Sequence, residues 1–189
     1  MALPLKALRP VTDEELLELS ERNPGYQFER NADGDVIVTP TGGEAGWREN
    51  ELGGQLRDWL KRHARGRVFS ASTMFILPDG SRFMPDTSWV RSERYAQLTA
   101  EQREGWLPLC PDAAFEIRSV RQPLAALQRK MRAYIANGAQ IAVLIDPYAK
   151  IVEVHRPGRP PEVHANPSTV ALDPELSEFV LELGPIFRT

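Results

Sequence analysis

The chain has 189 residues, 42% of them hydrophobic, and a formal net charge of −3 at pH 7. This length suits one sizeable core, so we expect a single domain over residues 1–189, with 158–189 as its β-rich wrapping segment. The acidic balance excludes a protein that coats nucleic acid by charge alone, and a single cysteine, Cys110, excludes an internal disulfide. The first ten residues hold no apolar run long enough for a signal peptide or a membrane span, so we expect a cytoplasmic protein.

The first part of the chain predicts two helices separated by a β-hairpin. Residues 12–15, Thr-Asp-Glu-Glu, form a capping box that opens a short first helix. Residues 26–30 and 36–39 are β-prone and flank a turn-rich stretch, so they predict a hairpin with Glu29 on its first arm. Residues 40–44 supply the capping box of a second helix. A phosphate-binding loop is less favoured there, because no lysine-serine or lysine-threonine pair follows the glycines.

A basic stretch spans the end of the second helix. One acid, Asp58, stands against the cations Arg57, Lys61, Arg62, His63, Arg65 and Arg67. Two interpretations remain open: the cations stabilise the negative end of the helix dipole, or they form a rim that faces phosphate groups. His63 lies near the apolar stripe of the helix, which favours a packed histidine over a metal ligand.

The middle of the chain predicts a β-meander followed by a helical region. Residues 66–71, 74–77 and 82–90 are β-prone and are separated by turn residues. The helical region covers residues 92–105, in which Thr99 and Gln102 have the spacing of a capping box.

The second half predicts buried strands around one long helix. Residues 113–117 form a short apolar strand, and Pro123 then opens a helix that an Asn-Gly pair closes. Residues 141–145 are an apolar run typical of a central strand buried on both faces, and residues 151–155 predict a further strand. From Pro157 the chain is rich in proline with short β-prone pieces, so we expect edge strands there.

Two carboxylates, Asp86 and Glu116, lie within these hydrophobic strands. A buried charge without a partner costs several kcal/mol, so each side chain requires a cation. Arg82 and Arg118 are candidate salt-bridge partners, which is the purely structural alternative. Residues two apart on a strand face the same side, so Arg118 and Glu116 can share a site.

A divalent metal is the other candidate cation. Mg²⁺ prefers oxygen ligands and is usually held by one or two carboxylates, with water and phosphate completing its shell. Asp86 and Glu116 on neighbouring strands fit this preference, and the backbone carbonyl of Ile117 offers a further oxygen. The sequence therefore predicts an Mg²⁺ site, with Mn²⁺ as a possible substitute.

Lys130 is the candidate catalytic cation. On the helix after Pro123 it falls at the edge of the apolar stripe, from which a long side chain can reach the neighbouring strand. An ordinary lysine with its ammonium in solvent remains the alternative. Pro111-Asp112 with Glu116 also spells a nuclease-like motif, but four residues on one strand separate these acids by roughly 13 Å. Asp112 is therefore interpreted as a turn residue at the start of the strand.

Short motifs follow one another over nearly the whole chain. They are Phe28-Glu29, Pro40-Thr41-Gly42, the run from Pro78 to Asp86, Phe115-Glu116-Ile117-Arg118-Ser119, residues 127–131 and 134–138, Leu144-Ile145-Asp146-Pro147 and Phe179-Val180-Leu181. In this order they resemble the Uma-two family, whose members are described as restriction endonucleases, within the PD-(D/E)XK nuclease superfamily.

This resemblance implies an α/β fold with a restriction-endonuclease-like central mixed sheet flanked by helices, to which the N-terminal helix and β-hairpin are additions. It implies Asp86 and Glu116 as metal ligands and Lys130 as a catalytic lysine moved from strand to helix. Glu29 would be an auxiliary acid. Arg118 stands where many such nucleases keep the lysine, and an arginine does not replace a lysine neutrally.

Two functions follow as expectations. The first is an Mg²⁺-dependent DNA endonuclease, as a homodimer because two symmetric sites can cut both strands of a duplex. The second is a non-cleaving nucleic-acid-binding or protein-interaction module on the same fold, which the acidic charge and Arg118 favour. A phosphodiesterase that acts on small nucleotides or RNA is a third alternative.

Overall fold

The computed structural model describes residues 3–5, 9–40, 42–63 and 65–188. The helices are α1 (Asp13–Arg22), α2 (Gly43–His63), α3 (Ser92–Ala96), α4 (Ala100–Glu104), α5 (Leu124–Ala136) and α6 (Gly184–Phe187). The strands are β1 (Leu3–Leu5), β2 (Tyr26–Arg30), β3 (Val36–Pro40), β4 (Gly66–Ser70), β5 (Phe75–Ile76), β6 (Arg82–Phe83), β7 (Thr87–Arg91), β8 (Ala113–Ile117), β9 (Ile141–Asp146), β10 (Ile151–His155), β11 (Glu162–Ala165), β12 (Thr169–Ala171) and β13 (Val180–Glu182). Within these residues no helix is long and apolar enough to cross a membrane.

A six-stranded mixed sheet in the order β11-β10-β9-β8-β7-β4 forms the centre of the fold. β8 and β9 are parallel, and the other neighbouring pairs in this sheet are antiparallel. One face is covered by α2 and by the chain after β11, and the other face by α5. The predicted class, a central mixed sheet flanked by helices, is confirmed.

Every residue of β8 and β9 is buried, in agreement with their apolar sequences. Their side chains alternate between two hydrophobic clusters, with Phe115 on the α2 side and Ala114 on the α5 side. Parallel neighbours require a crossover connection, and α5 provides it. Leu127 and Met131 of α5 pack on the sheet, so the buried face of this helix also directs Lys130 toward β8.

A five-stranded sheet in the order β1-β3-β2-β6-β5 is built around the predicted hairpin of β2 and β3. Asp13 of α1 forms ion pairs with Arg30 of β2 at 2.8 Å and with Arg82 of β6 at 2.7 Å. Phe83 of β6 belongs to the same cluster as α5. This packing brings β2, which carries Glu29, to the α5 side of the central sheet.

The strand predicted over residues 82–90 is two strands. β6 ends at Phe83 and β7 begins at Thr87. Pro85 has no N–H to donate to a ladder, and the N–H of Met84 donates to Oε1 of Glu29 at 2.5 Å instead. Asp86 therefore stands immediately before β7, next to the hairpin that carries Glu29.

The helical region predicted over residues 92–105 is likewise divided, into α3 and α4. The capping box of Thr99 and Gln102 is confirmed, and it begins the second of these helices. The capping box at Thr12 is also confirmed. The second helix begins at Gly43 as expected, but Thr41 of its predicted capping box lies outside the described residues.

Two short elements were not predicted. β1 has only three residues and includes a proline, and α6 has four. Elements of this length lack the periodicity from which helices and strands are recognised. Pro123 precedes α5 as its cap instead of being its first residue, a difference of one position.

The chain after β10 supplies the predicted edge strands. β11 lies at the edge of the central sheet, and β12 and β13 form a two-stranded sheet of their own. Arg156 is buried, and its Nε donates to Glu175 at 3.0 Å. Nε1 of Trp59 donates to the carbonyl of Ser177 at 2.8 Å, so α2 is hydrogen-bonded to this last part of the chain.

Gly66 of β4 has no room for a side chain. A Cβ atom there would lie 2.3 Å from Nε1 of Trp89 and 2.4 Å from the carbonyl oxygen of Val90. Because a backbone oxygen cannot swing aside, we expect Gly66→Ala to lower the free energy of unfolding by about 3 kcal/mol in urea denaturation. Gly54→Ala in α2 is the matched control: its nearest atom is 4.0 Å away, and helix propensity favours it by about 0.5–1 kcal/mol. Equal stability of the two variants would contradict the close packing at Gly66.

Candidate active site

Two acidic side chains meet where β7 and β8 pair. Thr87 is opposite Phe115 in this antiparallel ladder, so Asp86, one residue earlier, lies beside Glu116. The N–H of Ile117 donates to Oδ2 of Asp86 at 2.6 Å, which holds this carboxylate against β8. Glu116 is buried and Asp86 is half-buried. The structure thus brings together the two carboxylates that the sequence places on neighbouring strands.

Lys130 reaches this point from α5. Its Nζ lies 2.7 Å from Oε1 of Glu116 and 2.7 Å from Oε1 of Glu29. Tyr134, one turn further along α5, donates its hydroxyl to the same Oε1 of Glu116 at 2.9 Å. Nζ of Lys130 also lies 5.4 Å from the ring centroid of Phe83. Elements from both sheets and from α5 therefore converge on one buried ammonium.

The open alternative for Lys130, a lysine with its ammonium in solvent, is wrong. The residue is only 9% exposed, and all of its described polar contacts are with carboxylates. Its position at the edge of the apolar stripe is what allows this, because the side chain runs inward along the sheet. Glu29, the predicted auxiliary acid, is one of its two partners.

Burial and mutual repulsion set the charge states of these groups. Burial raises the pKa of Asp86 from its ordinary 3.8 to about 7, and the negative charge of Glu49 adds to the effect. Burial also raises the pKa of Glu116, although Lys130 opposes this change. Burial lowers the pKa of Lys130, but the charges of Glu116 and Glu29 outweigh it and the net pKa is raised. The ammonium is therefore held in its charged form among acids that outnumber it.

Glu49 of α2 is a fourth acid at this site, and the sequence analysis missed it. Burial raises its pKa, and the negative charge of Glu116 raises it further. Glu49 lines the same groove as Asp86. A signal for it was present: Glu49 is three residues before Leu52 and seven before Leu56, which places a carboxylate on the buried stripe of the helix.

The two arginines proposed as partners of the acids lie elsewhere. Nη1 of Arg118 donates to Oδ2 of Asp146 at 2.8 Å, and its Nε donates to the carbonyl of Gln122 at 2.9 Å. Arg82 pairs with Asp13. The expectation that Arg118 shares a site with Glu116 is therefore corrected, because Arg118 lies beyond the end of β8 and turns to the end of β9.

Asp112 is a structural residue, as predicted. It is buried, and its Oδ2 accepts the N–H of Arg91 at 2.9 Å and lies 3.2 Å from Nη1 of Arg94. It precedes β8, whereas Glu116 lies near the far end of that strand. The Pro-Asp of this motif therefore does not contribute to the cluster around Lys130.

Two of the four carboxylates open onto a groove of about 550 Å³ between α2 and the end of β4. Asp86 and Glu49 line it together with Arg57, which belongs to the basic stretch of α2. This places one cation of the basic stretch on the groove wall. A second cavity of about 450 Å³ reaches Glu29 and Lys130 from the side of the hairpin.

The possible ligands at this site are carboxylate oxygens. They suit a cation that keeps part of its water shell better than one coordinated by protein atoms alone. Among the described residues, no group of three or more His, Cys, Asp and Glu side chains is arranged to hold a metal. Four acids and one ammonium are present at this site, and the pKa values of Asp86, Glu116 and Glu49 are all raised. In general, Mg²⁺ can be held by one or two protein carboxylates, because it retains several waters.

A mixed sheet flanked by helices, with acids and a lysine meeting at β7, β8 and α5, defines a nuclease-like α/β class of protein. The sequence matches the Uma2 family, described as "Putative restriction endonuclease", over residues 13–184. The chain belongs to this family, and the resemblance seen in its motifs is confirmed.

Among solved structures, the fold is similar to that of a "putative nuclease belonging to DUF820" from Anabaena variabilis. The TM-score is 0.77 at 24% sequence identity, over 94% of this chain and 98% of the other. At this identity the likeness shows the fold alone. No curated protein matches the sequence.

Removal of the buried ammonium is expected to destabilise the fold. Lys130→Met leaves Glu29 and Glu116 buried without their cation, so we expect the free energy of unfolding to fall by about 3–5 kcal/mol at pH 7. The loss should be smaller near pH 5, where Glu116, whose pKa is raised by burial, takes up a proton more readily. Lys61→Met is the control, since that side chain is 75% exposed and its loss should change stability by about 0.5 kcal/mol or less. A similar small effect of Lys130→Met would contradict the buried ion pairs.

The raised pKa of Asp86 predicts a pH dependence of stability. The folded protein retains the proton up to about pH 7, whereas the unfolded chain releases it near the ordinary 3.8. This contribution to the free energy of unfolding is therefore complete below pH 3.8 and is lost as the pH rises to about 7. In metal-free buffer, Asp86→Asn should gain stability relative to the wild type across this range. Urea titrations at several pH values measure the difference, with the exposed turn variant Asp33→Asn as control. A difference independent of pH would contradict the raised pKa.

Proposed function

We propose that the protein is an Mg²⁺-dependent endonuclease that hydrolyses phosphodiester bonds of DNA with a metal-activated water. The observation that carries the proposal is the meeting of Asp86 and Glu116 across β7 and β8, with Nζ of Lys130 2.7 Å from Glu116. The cluster adjoins a groove with an arginine on its wall. Membership of the Uma2 family supports the same chemistry.

Asp86 and Glu116 would hold the metal, together with the carbonyl of Ile117. A divalent ion bound there supplies Lewis-acid activation of the phosphate and of a water molecule. The N–H of Ile117 and the hydroxyl of Tyr134 fix the two carboxylates before any ligand arrives. Such hydrogen bonds hold ligand side chains in one orientation, which favours binding at a defined position.

Lys130 and Glu49 would act on protons and charge. The ammonium of Lys130 is oriented by Glu29, and from this position it can orient the attacking water and stabilise negative charge on the phosphate. Glu49 has a raised pKa and lines the groove beside Asp86, so it can accept the proton of the water. Arg57 on the groove wall would bind a phosphate oxygen of the substrate.

We propose DNA as the substrate because of the description of the family, and a homodimer as the working form because two symmetric sites can cut both strands. Arg118 is assigned a positioning role at the ends of β8 and β9, since its ion pair is with Asp146.

The second candidate function is a non-cleaving module that binds nucleic acid or protein. The observation that favours it is that Lys130 already pairs with both Glu29 and Glu116. In this case the cluster would stabilise the fold without binding metal. Calorimetric titration with Mg²⁺ and Mn²⁺ separates the two functions: the endonuclease requires saturable binding that Asp86→Asn removes, and the module requires none.

Cleavage assays test the endonuclease directly. Supercoiled, linear and single-stranded DNA are incubated with the purified protein in Mg²⁺ or Mn²⁺. We expect Asp86→Asn, Glu116→Gln and Lys130→Ala each to reduce cleavage by about 100-fold or more, because each removes a metal ligand or the catalytic cation.

Two matched control variants test which acid and which cation are required for cleavage. Asp112→Asn removes the acid of the alternative motif, and Arg118→Gln removes the cation that pairs with Asp146. Provided that circular dichroism shows both variants to be folded, cleavage should remain within about tenfold of the wild type. Undiminished cleavage by Glu116→Gln would remove Glu116 from the mechanism. If Arg118→Gln lost cleavage while Lys130→Ala retained it, Arg118 and not Lys130 would be the catalytic cation.

A further inference from the structure

A third cavity, lined by two arginines, lies away from the carboxylates. It is at the Gly66 end of β4. It has a volume of about 460 Å³ and is lined by Gly66, Arg67, Ser92, Tyr95, Ala96 and Arg103. These residues come from β4, α3 and α4, so three elements that are separate in sequence build its wall. We refer to it as the arginine cavity.

Both arginines of this cavity stack on one aromatic ring. The guanidinium carbon of Arg67 lies 4.5 Å from the ring centroid of Tyr95, and that of Arg103 lies 5.1 Å from it. Arg103 also donates to the carbonyl of Ala96 at 3.0 Å. Stacking orients a guanidinium without using all of its N–H groups, so both side chains keep donors for a ligand.

Neither arginine is neutralised within the part of the chain that the structure describes. No ion pair of Arg67 or Arg103 is present there, whereas the neighbouring Arg91 and Arg94 both pair with Asp112. No acid lines the cavity either. Two oriented and unpaired guanidiniums beside a serine hydroxyl favour an anion with several oxygens, such as a phosphate group.

The arginine cavity is connected to the catalytic groove through β4. Phe69 lines the groove, and its ring centroid lies 5.8 Å from that of Tyr95. Ser70 pairs with Thr87, the residue after Asp86, so Arg67 is three residues along the strand from the level of the active site. At about 3.3 Å per residue this separation is roughly 10 Å.

We propose that the arginine cavity binds a backbone phosphate of the DNA substrate, outside the bond that is cut. This inference rests on the proposed endonuclease function. The separation corresponds to about three nucleotides, since each strand carries one phosphate per roughly 3.4 Å of duplex. Arg67 and Arg103 hold this phosphate and thereby fix the direction in which the duplex enters the groove.

Fluorescence anisotropy tests the cavity without cleavage. A short fluorescein-labelled duplex is titrated with protein in EDTA, at several salt concentrations between roughly 50 and 200 mM. The double variant Arg67→Gln, Arg103→Gln should bind about tenfold more weakly, with a slope of log K against log salt that is smaller by roughly 1 to 2. The control, Lys61→Gln with Arg62→Gln, removes the same charge from exposed positions that line neither cavity, and it should bind within about twofold of the wild type.

The outcomes separate this proposal from the proposed function. Wild-type-like binding by the Arg67 and Arg103 double variant, or an equal loss in the control, would overturn the arginine cavity while leaving cleavage to be judged on Asp86 and Glu116. Binding that depends on Arg67 and Arg103 without any cleavage in Mg²⁺ would support the cavity and overturn the endonuclease. Saturable binding of inorganic phosphate at this site with no binding of the duplex would overturn DNA as its ligand. Circular dichroism of each variant confirms that it is folded.

Discussion

The ion pairs of Lys130 are the interaction on which the rest of this structure depends. A buried ammonium and buried carboxylates each lose hydration worth several kcal/mol, so they are tolerated only when they satisfy one another closely. Here one Nζ contacts Glu29 of the smaller sheet and Glu116 of the central sheet, and the lysine itself belongs to α5. The same contacts that join these elements also assemble a cluster with more acids than bases. The contacts that stabilise the fold and the excess of acids in the cluster therefore have one origin.

The negative excess is confined to a small volume, while cations lie around it. Arg57 stands on the wall of the groove that holds Asp86, and Arg67 and Arg103 line the cavity at the other end of β4. A polyanion that is held by such flanking cations can approach the acids once a divalent ion compensates their charge. Under the proposed function, this arrangement would allow a chain with a net charge of −3 to bind DNA.

Local patterns were sufficient to predict the buried central strands and three members of the cluster, whereas the mixed sheet and the role of Glu29 were implied by the family resemblance. Asp86 and Glu116 interrupt apolar strands, Lys130 lies at the edge of a helical stripe, and Glu29 lies on a hairpin. Partners across the fold could not be obtained in this way. Strand spacing suggested Arg118 as a neighbour of Glu116, but the chain turns after β8 and Arg118 meets Asp146 of β9 instead. The helical stripe of α2 placed Glu49 on a buried face, but only the topology shows that this face meets Asp86 from the opposite side of the sheet.

A lysine on α5 has a physical advantage over one on β8. A strand residue is directed by the pleat alone, whereas α5 is fixed by the packing of Leu127 and Met131 on the sheet between the strands it connects. The position of Lys130 is therefore set by packing in the hydrophobic core. Arg118, just after the end of β8, forms an ion pair with Asp146 of β9 instead. Any change that loosens the packing of α5 would move the ammonium away from Glu116 without altering either residue. The geometry of the cluster is therefore controlled in part by the apolar packing of α5 on the sheet.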